Sequence, residues 1–270
     1  MALKLVVTPV LIGGATIAGR RMGAEVAGWL VALPFTSGPL ALFLAIDQGG
    51  AFASSAAVGM LAGTISQVVF ATVYRIAARR GIVTAASAGC LGFTITTLAL
   101  SAVHLAALPM FAVVMAVVVA SNLIARAHTV VPVQPVSPTP RWDIPARMLA
   151  GTAIVLVISA LAPLLGAYLA GLLSPFPVFA GVLTVFTHQT QGKRAAIDVL
   201  AGFLLGLASP AVFLLLVAVL VQPIGLSAFA VATAGALLSQ GLTMRLLLQR
   251  RKVGQDLVAP RLHDVDDLTH

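Results

Sequence analysis

Charged residues are scarce in this chain of 270 residues: only 9% are Asp, Glu, Lys or Arg, whereas 60% are hydrophobic, and the mean hydropathy is +1.06. Soluble domains average about 25% charged residues, so this composition excludes an ordinary soluble domain and indicates an integral membrane protein. The single cysteine, Cys90, excludes an intramolecular disulfide and a cysteine-based metal cluster. We expect no metal and no cofactor.

Acidic residues are the rarest charged type, with eight in the chain against 16 basic ones. Glu25, Asp47 and Asp198 lie at the ends of apolar segments, and no carboxylate lies at the predicted middle of one. This absence argues against an antiporter built on a central acidic pair. The HExxH, GxSxG and phosphate-loop motifs are also missing, so we expect no enzyme activity.

The apolar runs form nine segments that are long enough to cross a bilayer, which takes about 20 residues. Their approximate boundaries are 4–19, 24–46, 51–76, 82–102, 105–125, 147–164, 167–189, 195–221 and 224–247.

Basic residues cluster after every second segment, and 15 of the 16 fall on one predicted side, with Lys4 as the exception. The positive-inside rule therefore places the N-terminus outside and the C-terminus in the cytoplasm, as in a multi-pass protein of a bacterial-type plasma (inner) membrane. The net charge of +8 is explained by this placement at segment ends, and no nucleic-acid partner is expected.

The segment 23–70 is present twice, because it aligns without a gap to 166–213, which lies 143 positions further along the chain. Of the 48 aligned positions 18 are identical, against roughly 6 expected by chance from this composition. The matches concentrate on residues that fix backbone shape, among them Gly38/Gly181, Gly49/Gly192 and Pro34/Pro177. Such regular self-similarity indicates an internal duplication.

The two copies begin five predicted crossings apart, and an odd number of crossings inverts the second copy relative to the first. We therefore predict an all-α membrane protein with nine helices in a 5+4 inverted-topology repeat. The predicted units are a five-helix repeat (1–126), a Pro-rich cytoplasmic linker (127–145), a four-helix repeat (146–249) and a disordered cytoplasmic tail (250–270). Inverted repeats of this kind are typical of secondary transporters.

Corresponding segments of the two copies share an unusual feature, which is a pair of prolines near the middle. The first copy has LPFTSGPL with Pro34 and Pro39, and the second has LSPFPVFAG with Pro175 and Pro177. Proline removes a helix hydrogen bond and costs about 3 kcal/mol or more inside a helix. We therefore predict one broken helix in each half, with the breaks meeting at the bilayer midplane. Paired structural kinks are the alternative.

The predicted solute site consists of the residues at the two breaks and on the helices that follow them. Hydroxyl groups, a glutamine amide and the free N–H groups of a half-helix beginning at Pro39 would supply its polarity, mainly on the first-copy side. Its residues are Pro34, Thr36, Ser37, Gly38, Pro39, Ser66, Gln67, Pro175, Pro177, Gly181 and Ser209. Asp47, His188 and Gln191 are the candidates for a gate or proton relay; the alternative is that the first and last are simply helix ends and that His188 is an interfacial histidine without such a role, which is the commoner case.

Glycine pairs spaced four residues apart follow each break, as Gly59/Gly63 and Gly202/Gly206. Small residues at this spacing allow helices to approach closely. We expect them to pack within each repeat, with formation of a homodimer as the alternative use.

A five-helix inverted unit with a broken helix in each half resembles the superfamily of bile-acid symporters, sodium/proton antiporters and related organic-anion carriers. The stretch TSGPLALFLAIDQG (36–49) also resembles a segment of the LrgB-like membrane proteins. This chain departs from the superfamily in lacking the tenth helix, the sodium-site acids and the central aspartates, and in breaking the second helix of the unit. The resemblance therefore implies a carrier architecture but no particular solute or coupling ion.

These observations predict a small secondary transporter or exporter that moves a polar or anionic small solute across the lipid bilayer by alternating access. A non-transporting membrane scaffold or assembly subunit is the alternative from another class. A translocase for a lipid carrier is a variant of the transporter hypothesis.

Overall fold

The computed structural model of the chain describes residues 2–35, 37–126, 142–153 and 175–266, and these are almost entirely helical with no strand among them. A single 3₁₀ turn, Ala78–Arg80, follows the fourth helix. In chain order the helices are α1 (Ala2–Met22), α2 (Ala24–Val31), α3 (Ser37–Gln48), α4 (Gly50–Ala77), α5 (Ile82–Leu100), α6 (Ala107–Arg126), α7 (143–153), α8 (Val178–Gly206), α9 (Ala208–Ile224) and α10 (Ser227–Asp266).

Five helical stretches in the described ranges are long and apolar enough to cross a membrane. They are Gly50–Arg80, Ile82–Leu100, Ala107–Ile124, Val178–Ile224 and Ser227–Gln249. Large aliphatic side chains on their outer faces, such as Val83 and Leu238, are exposed, as expected for surfaces that contact lipid. The chain is therefore an all-helical membrane protein.

Of the remaining predicted segments, only segment one appears as a single long helix within the described residues. Segments seven and eight share the 47-residue stretch Val178–Ile224. Segment two is divided between α2 and α3, each too short to span a bilayer alone. Segment one coincides with α1, and only 147–153 of segment six lies within the described residues.

Gly49 and Gly192 occupy matching positions in the two sequence copies and adopt the same backbone conformation. Gly49 has φ 85° and ψ 169°, and Gly192 has φ 86° and ψ 174°. Both lie in the positive-φ region that glycine enters without the steric cost of a Cβ atom. Gly49 separates α3 from α4, and Gly192 divides α8 into α8a (178–191) and α8b (193–206).

The helix predicted at segment two is interrupted at the expected place. Residues 32–35 between α2 and α3 are not helical, and Leu33 donates its N–H to the carbonyl of Leu30 instead of that of Trp29. The second half begins at Ser37, two residues before Pro39. A proline at the third position of a helix is tolerated because the first-turn N–H groups have no helical partner.

In the second copy the structure describes only the C-terminal side of the predicted break, immediately before α8. Phe176 and Pro177 are not helical, and α8 begins at Val178. Residues 154–174, which contain the first half of segment seven, lie outside the described residues.

Helices α2 and α8b cross at backbone contact distance. A Cβ atom on Gly28 would overlap the carbonyl of Val199, and one on Gly202 would overlap the carbonyl of Glu25. Further along the same crossing, a Cβ atom on Gly206 would lie 2.9 Å from the carbonyl oxygen of Trp29. The contact therefore advances along both helices in the same direction, so α2 and α8b run parallel. Glycine spacing is used here for packing within the chain.

Some contacts between the two copies occur twice, with the roles of the two copies exchanged. A Cβ atom on Gly38 would lie 3.5 Å from the ring of Phe213, and one on Gly181 would lie 3.6 Å from the ring of Phe70. Each residue of the first contact is 143 positions from its counterpart in the second. Gly63 packs against Pro175 and Gly206 against Ala32, which is a second exchanged pair at the same offset.

Helix α4 is the centre of the bundle, because it contacts α3, α5, α6, α8 and α9. Its buried residues include Leu61, Phe70, Ala71 and Tyr74, which belong to one continuous apolar core. This core holds the two helix breaks in place.

Two features differ from the predicted units. Helix α7 begins at residue 143, within the segment predicted as linker, and α10 continues to Asp266 through most of the predicted disordered tail. Segment 250–266 contains Leu, Arg, Gln and Lys, which have high helix propensity and allow α10 to continue. The rest of the predicted linker, 127–141, lies outside the described residues.

Candidate functional site

The two helix breaks line a common cavity. Its volume is about 40 Å³, and Pro34 from the first break and Pro175 and Pro177 from the second lie in its wall. Ala32, Leu33 and Phe176 are also non-helical residues beside these prolines, and the other lining residues belong to α2, α3, α4, α8 and α9. In full, the lining consists of Val31, Ala32, Leu33, Pro34, Ser37, Met60, Thr64, Gln67, Pro175, Phe176, Pro177, Val178, Phe179, Ala180, Phe203, Pro210 and Leu214.

The polarity of this cavity is unevenly distributed between the copies. Among the described lining residues, the three polar side chains, Ser37, Thr64 and Gln67, all come from the first copy, and those from the second copy are apolar. None of the described lining residues carries a charge. A ligand here would meet hydrogen-bonding groups on one side and rings such as Phe179 on the other.

Two helices begin at the cavity wall, α3 at Ser37 and α8 at Val178. The N–H groups of Phe179 and Ala180 have no backbone partner within the described structure, and both residues line the cavity. Pro177 precedes α8 without a side-chain cap. The N-terminus of a helix carries a partial positive charge, so this arrangement favours an anionic group or a carbonyl oxygen.

Each helix break has a free backbone carbonyl that a glutamine from another helix satisfies. The side-chain amide of Gln67 on α4 donates a 2.8 Å hydrogen bond to the carbonyl of Pro175. The amide of Gln240 on α10 donates a 2.9 Å hydrogen bond to the carbonyl of Trp29. A carbonyl without a partner is costly inside a membrane protein, so these two side chains stabilise the interrupted backbone.

Thr64 was not among the predicted site residues. It is 2% exposed, lines the cavity and makes no hydrogen bond in the described structure. A buried hydroxyl without a partner is costly, and bound water or a ligand group would relieve that cost. The sequence signal was available, because Thr64 precedes Gln67 by three positions and therefore shares its helix face.

Other predicted site residues lie around the cavity without lining it. Ser66 is buried and accepts a 2.7 Å hydrogen bond from Thr97 of α5. Ser209 is buried and donates a 3.0 Å hydrogen bond to the carbonyl of Ala236 of α10. These two serines, which correspond in the duplication, therefore fix helix packing. Gly38 and Gly181 contact phenylalanine rings, Pro39 is exposed, and Thr36 lies outside the described residues.

The three predicted gate residues have different surroundings. Asp47 is exposed at the end of α3, and Gln191 is half-buried beside Gly192. His188 is buried, and its Nδ1 lies 3.1 Å from the hydroxyl of Tyr74 on α4. The structure therefore gives only His188 a specific partner in another helix.

A buried charge cluster at the start of α7 was also missed, because Arg147 was interpreted from the sequence only as a topology signal. Arg147 is 1% exposed and bonds to the carboxylate of Asp143 at 2.9 Å, to the hydroxyl of Thr187 and to the carbonyl of Leu183. Arg20 of α1 approaches the other oxygen of Asp143 at 3.0 Å. The cluster connects α1 and α7 to α8a.

Within the described part of the chain, no three His, Cys, Asp or Glu side chains come together as a metal site would require. Comparison of the chain with protein-family models, with curated proteins and with solved structures found no match.

Proposed function

We propose that this chain is a small secondary transporter that moves a polar or anionic solute by alternating access at the cavity between its two broken helices. The observation that carries the proposal is that both breaks, separated by about half of the chain, line the same cavity. Broken helices at membrane depth are tolerated where they are buried in protein or line a wet cavity. Transporters built from inverted repeats bind their solutes at such places.

The exchanged contacts support a two-fold relation between the copies. If residue i of one copy contacts residue j of the other, a two-fold axis requires the counterparts to make the same contact in reverse. Gly38 with Phe213 and Gly181 with Phe70 satisfy this requirement at nearly equal distances. We infer a pseudo-two-fold axis near the cavity.

The parallel course of α2 and α8b favours inversion of the second copy. In the first copy, segment two runs in the opposite direction to α4, which follows it after Gly49. In the duplication, α8b corresponds to the beginning of α4. A second copy in the same orientation as the first would therefore place α8b antiparallel to α2. The observed parallel contact, from Glu25 at Gly202 to Trp29 at Gly206, fits the inverted arrangement.

Together with the alternating basic residues, this arrangement supports nine crossings, a 5+4 repeat, an outside N-terminus and a cytoplasmic C-terminus in a bacterial-type inner membrane. The glycines at the crossing are already occupied by contacts within the chain, so the transporter proposal requires no dimer.

The cavity chemistry restricts the solute class. None of the described lining residues is charged, which disfavours cations and multiply charged anions, whereas the start of α8 and the hydroxyls of Ser37 and Thr64 favour one electronegative group. The rings of Phe176 and Phe179 favour an apolar remainder. We therefore propose a neutral polar or singly anionic solute with an apolar part.

The size of the cavity indicates that the walls must separate during transport. A volume of about 40 Å³ holds no more than a few water molecules, whereas pockets for small organic ligands typically measure about 300–1,000 Å³. This conformation therefore represents the closed state of the proposed cycle. The region formed by α3 and α8a would rock relative to the rest of the bundle.

The test begins with an untargeted metabolite comparison of cells with and without the protein, followed by uptake of the candidate solutes into proteoliposomes. Thr64→Val and Ser37→Ala should each reduce uptake about tenfold, because each removes one hydrogen bond to the solute. Thr233→Val is the matched control, since Thr233 bonds only to its own helix at Phe229. Uptake that is unchanged in both cavity variants would exclude the cavity as the site. If no solute is transported, the scaffold hypothesis gains support.

A further inference from the structure

Polar side chains continue from the cavity along the interface of α4 and α8a towards Gly192. Thr184 lies one helical turn beyond Ala180 of the cavity wall, is fully buried, and has a hydroxyl without a hydrogen-bond partner in the described structure. One turn further on, His188 meets Tyr74 at 3.1 Å. Each step of four residues advances about 6 Å along the helix.

These residues share one stripe of α8a that faces α4. Gly181, Thr184 and His188 are separated by three and four positions, which places them on a common helix face. Gly181 at the start of the stripe contacts Phe70, and His188 at its end contacts Tyr74. Thr184 therefore lies between these two contacts, in the interface rather than towards lipid.

The duplication supplies an internal comparison for this interface. The corresponding interface between α3 and α9 has the same glycine–phenylalanine contact, made by Gly38 and Phe213. The positions of that interface that correspond to polar residues between α4 and α8a are apolar. Gln67, Tyr74, Thr184 and His188 correspond to Pro210, Val217, Ala41 and Ala45.

This difference in polarity is not required for packing. Ala41 and Val217 are fully buried and belong to the same apolar core. Thr184 and Tyr74 occupy the equivalent places in the interface of α4 and α8a. The buried hydroxyl of Thr184 has no hydrogen-bond partner in the described structure, which is unfavourable. An apolar interface would pack at least as well, so the polar groups have another use.

We propose that Thr184, His188 and Tyr74 form a second polar site, through which water and the hydrogen-bonding group of the solute pass between the cavity and the Gly192 end of the bundle. The inference rests on the proposed transport function. In this structure the contact between Tyr74 and His188 closes the route. Lys193 and Arg194 follow immediately, so the route opens on the predicted cytoplasmic side.

The test uses thiol accessibility, which requires no knowledge of the solute. Cys90→Ala removes the only cysteine, and Thr184→Cys then introduces one thiol of similar size. Ala41→Cys, at the corresponding buried position, is the matched control. The full chain is probed in inside-out and right-side-out membrane vesicles with a small, charged, membrane-impermeant methanethiosulfonate reagent.

We expect Thr184→Cys to react in inside-out vesicles and Ala41→Cys to remain unreactive there. Adding Tyr74→Phe, which keeps the ring and removes the hydroxyl, should raise the rate for Thr184→Cys about fivefold to tenfold, because a buried hydrogen bond that closes the route is lost. Tyr74→Ala should raise it further.

Three results would overturn the proposal. One is a Thr184→Cys thiol that does not react with the reagent when either Tyr74→Phe or Tyr74→Ala is also present. Another is equal reactivity of the two cysteines, and the third is labelling only from the opposite side. Uptake of the candidate solutes from the metabolite comparison is measured in parallel, to separate the hypothesis of this route from the hypothesis of transport. Intact uptake with an unreactive thiol rejects only this route, and a reactive thiol without uptake in any vesicle rejects the transport function.

Discussion

The side-chain amide of Gln67 donates a 2.8 Å hydrogen bond to the carbonyl oxygen of Pro175, which joins the central helix of the first copy to the helix break of the second. Both residues also line the cavity. One side chain therefore stabilises the interrupted backbone and contributes to the polar wall. The four predictions below follow from this contact and from the contacts that surround it.

Replacing Gln67 with leucine should destabilise the protein by about 1 kcal/mol, because the carbonyl of Pro175 would lose the hydrogen bond that the Gln67 amide donates to the interrupted backbone. The measurement is thermal unfolding in detergent. Gln189→Leu is the control, since Gln189 is exposed near the end of α8a and should change stability little. Equal stability of the Gln67→Leu variant and the unmodified protein would show that this hydrogen bond does not maintain the break.

Adding a methyl group at the crossing of α2 and α8b should be severely destabilising. Gly28→Ala and Gly202→Ala each place a Cβ atom on a carbonyl of the facing helix, so we expect a cost of about 3 kcal/mol or more and low yields of folded protein. Gly241→Ala is the matched control. Gly241 is an exposed helical glycine with open space around its Cβ direction, and alanine there should be neutral or stabilising by up to about 1 kcal/mol. Normal folding of Gly28→Ala would contradict the close crossing.

Breaking the buried ion pair at the start of α7 should cost about 3–5 kcal/mol. Arg147→Met leaves the carboxylate of Asp143 buried with only the partly exposed Arg20 as a partner. The double variant Arg147→Met with Asp143→Leu should regain part of the lost stability, because the Asp143 carboxylate that the single variant leaves without Arg147 is then absent. Asp198→Asn is the control, because its contact with Arg194 is 3.9 Å long and partly exposed, and such pairs contribute about 0–1 kcal/mol. A thermal unfolding series of the unmodified protein, the single variants Arg147→Met, Asp143→Leu and Asp198→Asn, and the double variant decides the question. Additive effects of Arg147→Met and Asp143→Leu would exclude coupling.

Labelling from opposite sides of the membrane should distinguish the positions next to the two corresponding glycines. In the Cys90→Ala background, Gln48→Cys should react with an impermeant thiol reagent only from outside, and Lys193→Cys only from the cytoplasmic side. Both residues are exposed and adjoin Gly49 and Gly192. Reaction of both cysteines from the same side would disprove the inverted topology and remove the main support for the carrier.

Local sequence information was sufficient to predict the interruption at Pro34 and the start of a helix just after Pro177, because proline disrupts a helix wherever the rest of the chain lies. The matching positive-φ conformations of Gly49 and Gly192 are likewise compatible with the local sequence, because glycine enters this region without the steric cost of a Cβ atom. Site membership was predicted less well. Ser66 and Ser209 have the same chemistry as Thr64 but point to helices α5 and α10, and sequence spacing does not show which neighbour a hydroxyl meets.

The charged cluster was missed for a related reason. Arg147 lies among basic residues that the positive-inside rule explains without any partner, so nothing in the sequence distinguished it from a lipid-facing or solvated arginine. Its burial depends on Asp143, on Thr187 and on the position of α1. Apart from the Arg147–Asp143 pair, which is four positions apart, these contacts connect residues at least 40 positions apart.

The sequence by itself determined that this chain is a helical membrane protein, that a segment is duplicated, and where its helices are interrupted, because hydropathy, glycine and proline act on the backbone locally. Only the tertiary structure decided that the two interruptions share one cavity, that Gln67 and Gln240 satisfy their carbonyls, and that polar groups continue on one side alone. Those features depend on which helix faces meet, and the packing of segments that are distant in the sequence determines which faces meet.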